Sequence, residues 1–121
     1  MSNFESLLQL ANDARTRIRE ISPVEAREHI ESGVVLIDVR EEKEFKAGHI
    51  PGAILLSRDA LESRIADVVP DQSTPIVCYC TIGHRSALAA DELQKLGYAE
   101  VVSIAGGLNA YFEIWIDQKV A

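Results

Sequence analysis

The sequence predicts an α/β fold in which a mostly parallel sheet is covered by helices on both faces. Two observations support this prediction. Short runs rich in β-branched residues alternate along the chain with longer stretches of helical periodicity. The run at 34–37 is apolar at every position, which is typical of a parallel strand buried on both faces. Crossover connections between such strands place their carboxyl ends along one edge of the sheet, where ligands bind.

Composition limits the class of protein. The chain has 121 residues, of which 47% are hydrophobic, enough for one domain with a buried core. The formal net charge of −7 argues against nucleic acid or an anionic membrane as a partner. The amino terminus lacks the basic and apolar regions of a signal peptide, and no apolar run approaches the length of a membrane span. We therefore expect a soluble, cytoplasmic protein without a membrane partner, a metal or a cofactor.

The first part of the chain contains two predicted helices. From Asn3 to Arg17 the apolar residues recur at helical spacing, and we expect this helix to pack on its own domain rather than dock a partner. A short edge strand fits 19–21. Ser22, Pro23 and Glu25 then predict a helix start with a capping box, and Gly33 ends that helix.

The remaining elements follow from the same signals. We predict strands at 34–37, 53–56, 76–80 and 101–104, and helices at 41–47, 59–69, from the loop after Cys80 to Gly97, and 108–116.

The segment from Pro75 to Gly97 reads as a strand, a small loop and a helix, with Cys80 where the strand ends. Unpaired N–H groups at the start of a helix, together with the helix dipole, stabilise an anion. That position favours a thiolate, the nucleophilic form of cysteine. Gly83 gives the loop the dihedral freedom to turn its amides inward. The alternative interpretation of Cys80 is a buried structural thiol.

The second cysteine, Cys78, lies two positions earlier in the same strand. The Cα atoms of Cys78 and Cys80 should be roughly 6.5 Å apart with parallel side chains, which aims them poorly for a disulfide. We therefore interpret Cys78 as a core thiol rather than a sulfur-relay partner, in a reducing compartment.

Three segments in the right order resemble the rhodanese (sulfurtransferase) family. They are Asp38 to Phe45 with Gly48 to Ala53, then Cys80 to Ser86, and finally Ala105 to Leu108 with Tyr111. The resemblance spans Ile21 to Glu113. We therefore expect a single rhodanese-like domain of residues 1–121, in which residues 1–18 form an N-terminal helical extension. It implies a five-stranded, mostly parallel sheet with helices on both faces.

The resemblance also implies a chemistry. Cys80 would take a sulfane sulfur from thiosulfate or a persulfide donor, hold it as a persulfide, and pass it to cyanide or to a small-molecule or protein thiol. The implied binding loop consists of Thr81, Ile82, Gly83, His84, Arg85 and Ser86. Arg85 offers forked donors to the anionic sulfur donor, and His84 could add charge at lower pH. Asp38 and Arg40 would brace the active loop, as similar residues do in the family.

Other functions share parts of this pattern. A phosphatase or arsenate reductase also places a cysteine in an anion-binding loop, but the phosphatase signature needs one more residue between cysteine and arginine than Cys80 and Arg85 leave. A loop that is one residue short should close around a single sulfur rather than a phosphate. A non-catalytic interaction module usually lacks the cysteine. A sulfur-relay domain of a larger cofactor-synthesis or tRNA-thiolation system also fits the resemblance.

Overall fold

A five-stranded sheet runs through the centre of the computed structural model, which describes residues 3–118. The strands are β1 (Arg19–Ile21), β2 (Val35–Asp38), β3 (Ile54–Leu55), β4 (Ile76–Tyr79) and β5 (Val101–Ile104). Their order in the sheet is β1-β5-β4-β2-β3, and every neighbouring pair is parallel. The predicted α/β fold is confirmed, and the sheet is parallel throughout. β4, which leads into the cysteine loop, is the middle strand.

Helices cover both faces of the sheet. They are α1 (Asn3–Ala14), α2 (Pro23–Glu31), α3 (Glu42–Ala47), α4 (Leu61–Val68), α5 (His84–Lys95) and α6 (Gly107–Ile114), with single 3-10 turns at Arg58–Ala60 and Ile116–Gln118. One buried cluster combines strand residues with α4 and α5, and the other combines them with α2 and α6. Between residues 3 and 118, no helix has the length and apolar character needed to cross a bilayer.

Alternation along β4 explains its continuous burial. Ile76 and Cys78 point into the cluster under α4 and α5, whereas Val77 and Tyr79 point into the cluster under α2 and α6. All four side chains are buried, as expected for a central parallel strand. The strand ends at Tyr79, so Cys80 lies in the loop directly after it.

Two local predictions need correction. The Ser22 hydroxyl accepts a hydrogen bond from the Glu25 backbone N–H at 3.2 Å, as expected of an N-cap. The Glu25 carboxylate, however, pairs with Arg19 at 3.1 Å, so the ion pair replaces the predicted capping box. The closing helix runs from Gly107 to Ile114, because the chain leaves helical geometry at Trp115.

The N-terminal helix packs on its own domain, along α5. Its contact face is narrow, with Ala11 and Ala14 fully buried. Just after the helix, Arg17 donates to both carboxylate oxygens of Asp91 on α5 at 3.0 and 2.9 Å. The Gln94 side chain donates to the Arg17 carbonyl at 3.0 Å. The helix ends at Ala14, earlier than predicted, and the following residues turn towards β1.

Candidate active site

Cys80 lies at the floor of a cleft of about 290 Å³ at the carboxyl end of the sheet. The cleft is lined by side chains from α1, α3, the loop after β4 and the start of α5: Phe4, Leu7, Glu44, Cys80, Thr81, Ile82, His84 and Arg85. Cys80 itself is only 1% exposed. A larger cavity of about 360 Å³ lies at the amino ends of β4 and β5. Because parallel sheets bind ligands at their carboxyl ends, we assign the site to the Cys80 cleft.

Two backbone amides point at the Cys80 sulfur. The N–H groups of Gly83 and Ser86 donate to Sγ at 3.1 and 3.3 Å. Ser86 is in the first turn of α5, where the helix leaves its N–H groups without intrahelical partners. Gly83 adopts a φ of +102°, which turns the chain back over the sulfur. Of the loop amides from Thr81 to Ser86, these two are the ones seen to donate to Sγ in the described residues.

A hydroxyl completes the surroundings of the sulfur. Ser86 Oγ lies 3.5 Å from Cys80 Sγ and 2.8 Å from Oγ of Ser103 on β5. A protonated Cys80 donates to this oxygen, and a thiolate can accept from it. Sequence reasoning missed Ser103, whose signal was a polar residue inside an otherwise apolar strand.

The start of α6 holds the cysteine loop from the other side. The backbone N–H groups of Leu108 and Asn109 donate to the carbonyls of Cys80 and Thr81 at 2.8 and 3.1 Å. Gly107 lets the two segments approach, because a Cβ built there would lie 2.6 Å from each of those carbonyl oxygens. The motif Ala105 to Leu108 therefore supports the backbone of the cysteine loop.

Arg85 is paired with Glu44 on α3. Its guanidinium donates to both carboxylate oxygens at 2.8 and 2.9 Å, and also to the Thr81 hydroxyl at 3.1 Å. The hydrogen bonds from Arg85 lower the pKa of Glu44 to about 2, against the opposing effect of partial burial. Sequence reasoning missed Glu44, although it lies inside the first resembling segment. An anion that binds Arg85 must share the guanidinium with this carboxylate or displace it.

Asp38 and Arg40 form a buried ion pair at the end of β2. Arg40 Nε and Nη2 donate to separate Asp38 oxygens at 3.0 and 2.8 Å, and Nη2 also donates to the Gly48 carbonyl at 2.7 Å. Since Gly48 follows α3, the pair ties that helix to the sheet. α3 in turn carries Glu44, which pairs with Arg85, so α3 connects the Asp38–Arg40 pair to the cysteine loop. Bracing of the loop by Asp38 and Arg40 stays a prediction.

His84 contacts an arginine from outside the loop. Arg15, just after α1, has Nη2 3.0 Å from His84 Nδ1 and donates to the Gly83 carbonyl at 3.2 Å. Because a guanidinium can only donate, Nδ1 is the acceptor and the neutral ring carries its proton on Nε2. Burial and the Arg15 charge lower the pKa of His84. Positive charge on His84 therefore appears only at lower pH than for an ordinary histidine.

Arg15→Ala should raise the pKa of His84 towards its ordinary value near ~6.5, because it removes a neighbouring positive charge. An NMR titration of the His84 ring protons measures the change. Arg19→Ala is the control, since Arg19 pairs with Glu25. An unchanged or lower pKa of His84 in the Arg15 variant would contradict this assignment.

Cys78 has the surroundings of a structural thiol. It is fully buried, and its Sγ lies 3.5 Å from the carbonyl oxygens of Ser86 and Val102, which accept from the thiol. Burial raises the pKa of Cys78 well above its usual range. Both cysteines are free thiols. The interpretation of Cys78 as a core residue agrees with this geometry.

Comparisons with known proteins point to one family. The family model for the rhodanese-like domain matches residues 22–113. The chain is 35% identical over 100 residues to thiosulfate sulfurtransferase GlpE of Pseudomonas savastanoi pv. phaseolicola, covering 83% of this chain and 89% of that one.

Solved structures share the fold. A protein of unknown function from Rhodopseudomonas palustris, described as a possible tyrosine phosphatase, superposes with a TM-score of 0.83 at 29% identity over 90% of each chain. The human single-domain sulfurtransferase TSTD1 superposes with a TM-score of 0.71 at 29% identity, over 78% of this chain and 95% of that one. The resemblance predicted from the three sequence segments is confirmed: this chain belongs to the rhodanese-like domain family.

Proposed function

We propose that this chain is a sulfurtransferase in which Cys80 carries the sulfur as a persulfide between a donor and an acceptor. The observation that carries the proposal is the convergence of the Gly83 and Ser86 N–H groups on Sγ at the floor of the cleft. Membership of the rhodanese-like family and the sulfurtransferases among its relatives support it.

The first half-reaction loads the cysteine. The Cys80 thiolate attacks the outer sulfur of thiosulfate, a new sulfur–sulfur bond forms, and the old one breaks as its electron pair leaves with sulfite. The terminal sulfur of the persulfide is anionic. N–H donors fixed by the start of α5 stabilise such an anion without reorganising during the reaction.

The second half-reaction removes the sulfur from Cys80. Cyanide or a thiol attacks the terminal sulfur, thiocyanate or a new persulfide forms, and the sulfur–sulfur bond breaks to restore the Cys80 thiolate. A protein thiol in a sulfur relay for cofactor synthesis or tRNA thiolation would react in the same way. A cytoplasmic location fits this chemistry, because a reducing compartment keeps Cys80 free for each cycle.

The two half-reactions are separated by a covalent intermediate, so the kinetics should be ping-pong. Initial rates are measured with thiosulfate varied at several fixed cyanide concentrations. We expect parallel lines in the double-reciprocal plot. Intersecting lines would show that both substrates bind before sulfur moves, which rules out a free persulfide enzyme.

Arg85→Ala should raise the KM for thiosulfate about tenfold or more, since a charge-assisted hydrogen bond to an anion is lost. Arg64→Ala on α4 is the control, because this arginine is exposed and does not line the cleft. Steady-state kinetics in which the KM for thiosulfate is the same for Arg85→Ala and the parent chain would remove Arg85 from the donor site.

Glu44→Gln should lower the KM for thiosulfate, because it frees Arg85 from a competing carboxylate.

The second candidate is a phosphatase, which the description of the Rhodopseudomonas palustris structure raises. One feature of this chain favours sulfur over phosphate. The arginine comes one residue earlier after Cys80 than the phosphatase signature requires. We expect no Cys80-dependent hydrolysis of p-nitrophenyl phosphate, and turnover of that substrate would favour the phosphatase.

A further inference from the structure

The N-terminal helix contributes directly to the cleft. Phe4 and Leu7, on the first two turns of α1, line it together with Ile82 of the cysteine loop. The Phe4 ring also meets the edge of the His84 ring, with the centroids 6.0 Å apart and the planes at 68°. α1 lies before the residues that match the family model, so Phe4 and Leu7 are an addition to the family core.

The cleft therefore has two unlike sides. Glu44, Arg85 and Thr81 form a hydrogen-bonded polar side. Phe4, Leu7 and Ile82 form the apolar wall, and much of its area is open, since Phe4 is 55% and Ile82 46% exposed. Burial of these exposed apolar side chains under an apolar ligand would therefore contribute favourable free energy to binding.

Size and charge indicate what such a ligand is. A cleft of about 290 Å³ is near the lower end of the range for organic ligands, ~300–1,000 Å³, and leaves room beyond a thiosulfate ion. Arg85 is the cationic side chain on the polar side, and Glu44 already neutralises it. A donor with a single negative charge and an apolar body fits these two sides better than the thiosulfate dianion.

We propose that α1 is a specificity element whose residues Phe4 and Leu7 select sulfur donors with an apolar body, such as an aryl thiosulfonate. This inference rests on the proposed sulfurtransferase activity. In the loading step the Cys80 thiolate attacks the outer sulfur, the bond to the sulfonyl sulfur breaks, and its electron pair leaves with an aryl sulfinate in place of sulfite. The aryl group lies on the apolar wall while the sulfonyl oxygens face Arg85.

The experiment compares benzenethiosulfonate with thiosulfate as donors, with cyanide as the acceptor and kcat/KM as the readout. We expect Phe4→Ala to lower kcat/KM for benzenethiosulfonate about fivefold or more and to change the value for thiosulfate less than about twofold. Leu7→Ala should act in the same direction, and Phe4→Leu should restore most of the loss. Because Phe4 is more than half exposed, its replacement leaves the core intact.

Leu10→Ala is the matched control. Leu10 lies on the same helix and is 58% exposed, but it lines a separate groove with Leu88 and Lys95. This variant should leave both donors unaffected. Equal effects of Phe4→Ala on the two donors, or none on either, would overturn the inference while leaving the thiosulfate activity of the parent chain in place. A parent chain that transfers sulfur from neither donor would overturn the proposed function, and the inference with it.

Discussion

Cys80→Ser is expected to reduce kcat/KM for sulfur transfer by at least about a thousandfold, because a serine hydroxyl is not ionised near neutral pH and cannot form the persulfide. The fold should remain, since Ser Oγ can accept the same N–H groups of Gly83 and Ser86 that Sγ accepts. Thiocyanate production measures the activity, and a thermal melt measures the stability.

Cys78→Ala is the matched control for that loss. It removes a second thiol from the same strand, and it should retain most activity while costing about 1 kcal/mol of stability through the small cavity it leaves. A loss of activity comparable to that of Cys80→Ser would require a mechanism with two thiols. Full activity of Cys80→Ser would eliminate the proposed mechanism altogether.

Gly107→Ala is expected to lower both stability and activity. Gly107 has a φ of +64°, which costs an alanine ~1 kcal/mol. The new Cβ would also lie 2.6 Å from the carbonyl oxygens of Cys80 and Thr81, which belong to the backbone and cannot rotate away. The loop must shift, at a further cost of about 1–3 kcal/mol. Because this loop carries the N–H donors to Sγ, kcat/KM should fall about tenfold or more.

Gly33→Ala is the control that distinguishes the steric clash at Gly107 from the cost of a positive φ alone. Gly33 has a φ of +91°, and a Cβ there would have no neighbouring atom within 4 Å. This control should lose stability from backbone strain alone and keep its activity. Chemical denaturation and steady-state kinetics on both variants provide the comparison. Equal activity in the two variants would show that α6 does not position the cysteine loop.

Local signals explain why the fold could be predicted from the sequence. The apolar runs that became β2 and β4 are buried on both faces, and such burial leaves an unbroken apolar pattern. The signals at Ser22, which caps the start of α2, and at Gly48, which ends α3, likewise lie next to the elements they delimit. Boundaries were less accurate at α1, where helical spacing continued past Ala14 while the chain turned to enter β1.

The site was only partly predictable for a related reason. Cys80, Gly83 and Ser86 lie close together along the chain, where the loop after β4 leads into α5, so their spacing was enough to bring them together. Glu44 and Arg15 reach the same loop from 41 and 68 residues away, at contacts that only tertiary packing creates. Tertiary packing also brings Phe4 to the cleft, whereas the spacing of apolar residues in this segment indicated only a helix with one apolar face.

The most direct test of the central claim is the intact mass of the protein after incubation with thiosulfate. We expect a gain of one sulfur atom that cyanide or a reducing thiol reverses, and no gain in Cys80→Ser. An unchanged mass in the parent chain, or an equal gain in Cys80→Ser, would contradict a Cys80 persulfide.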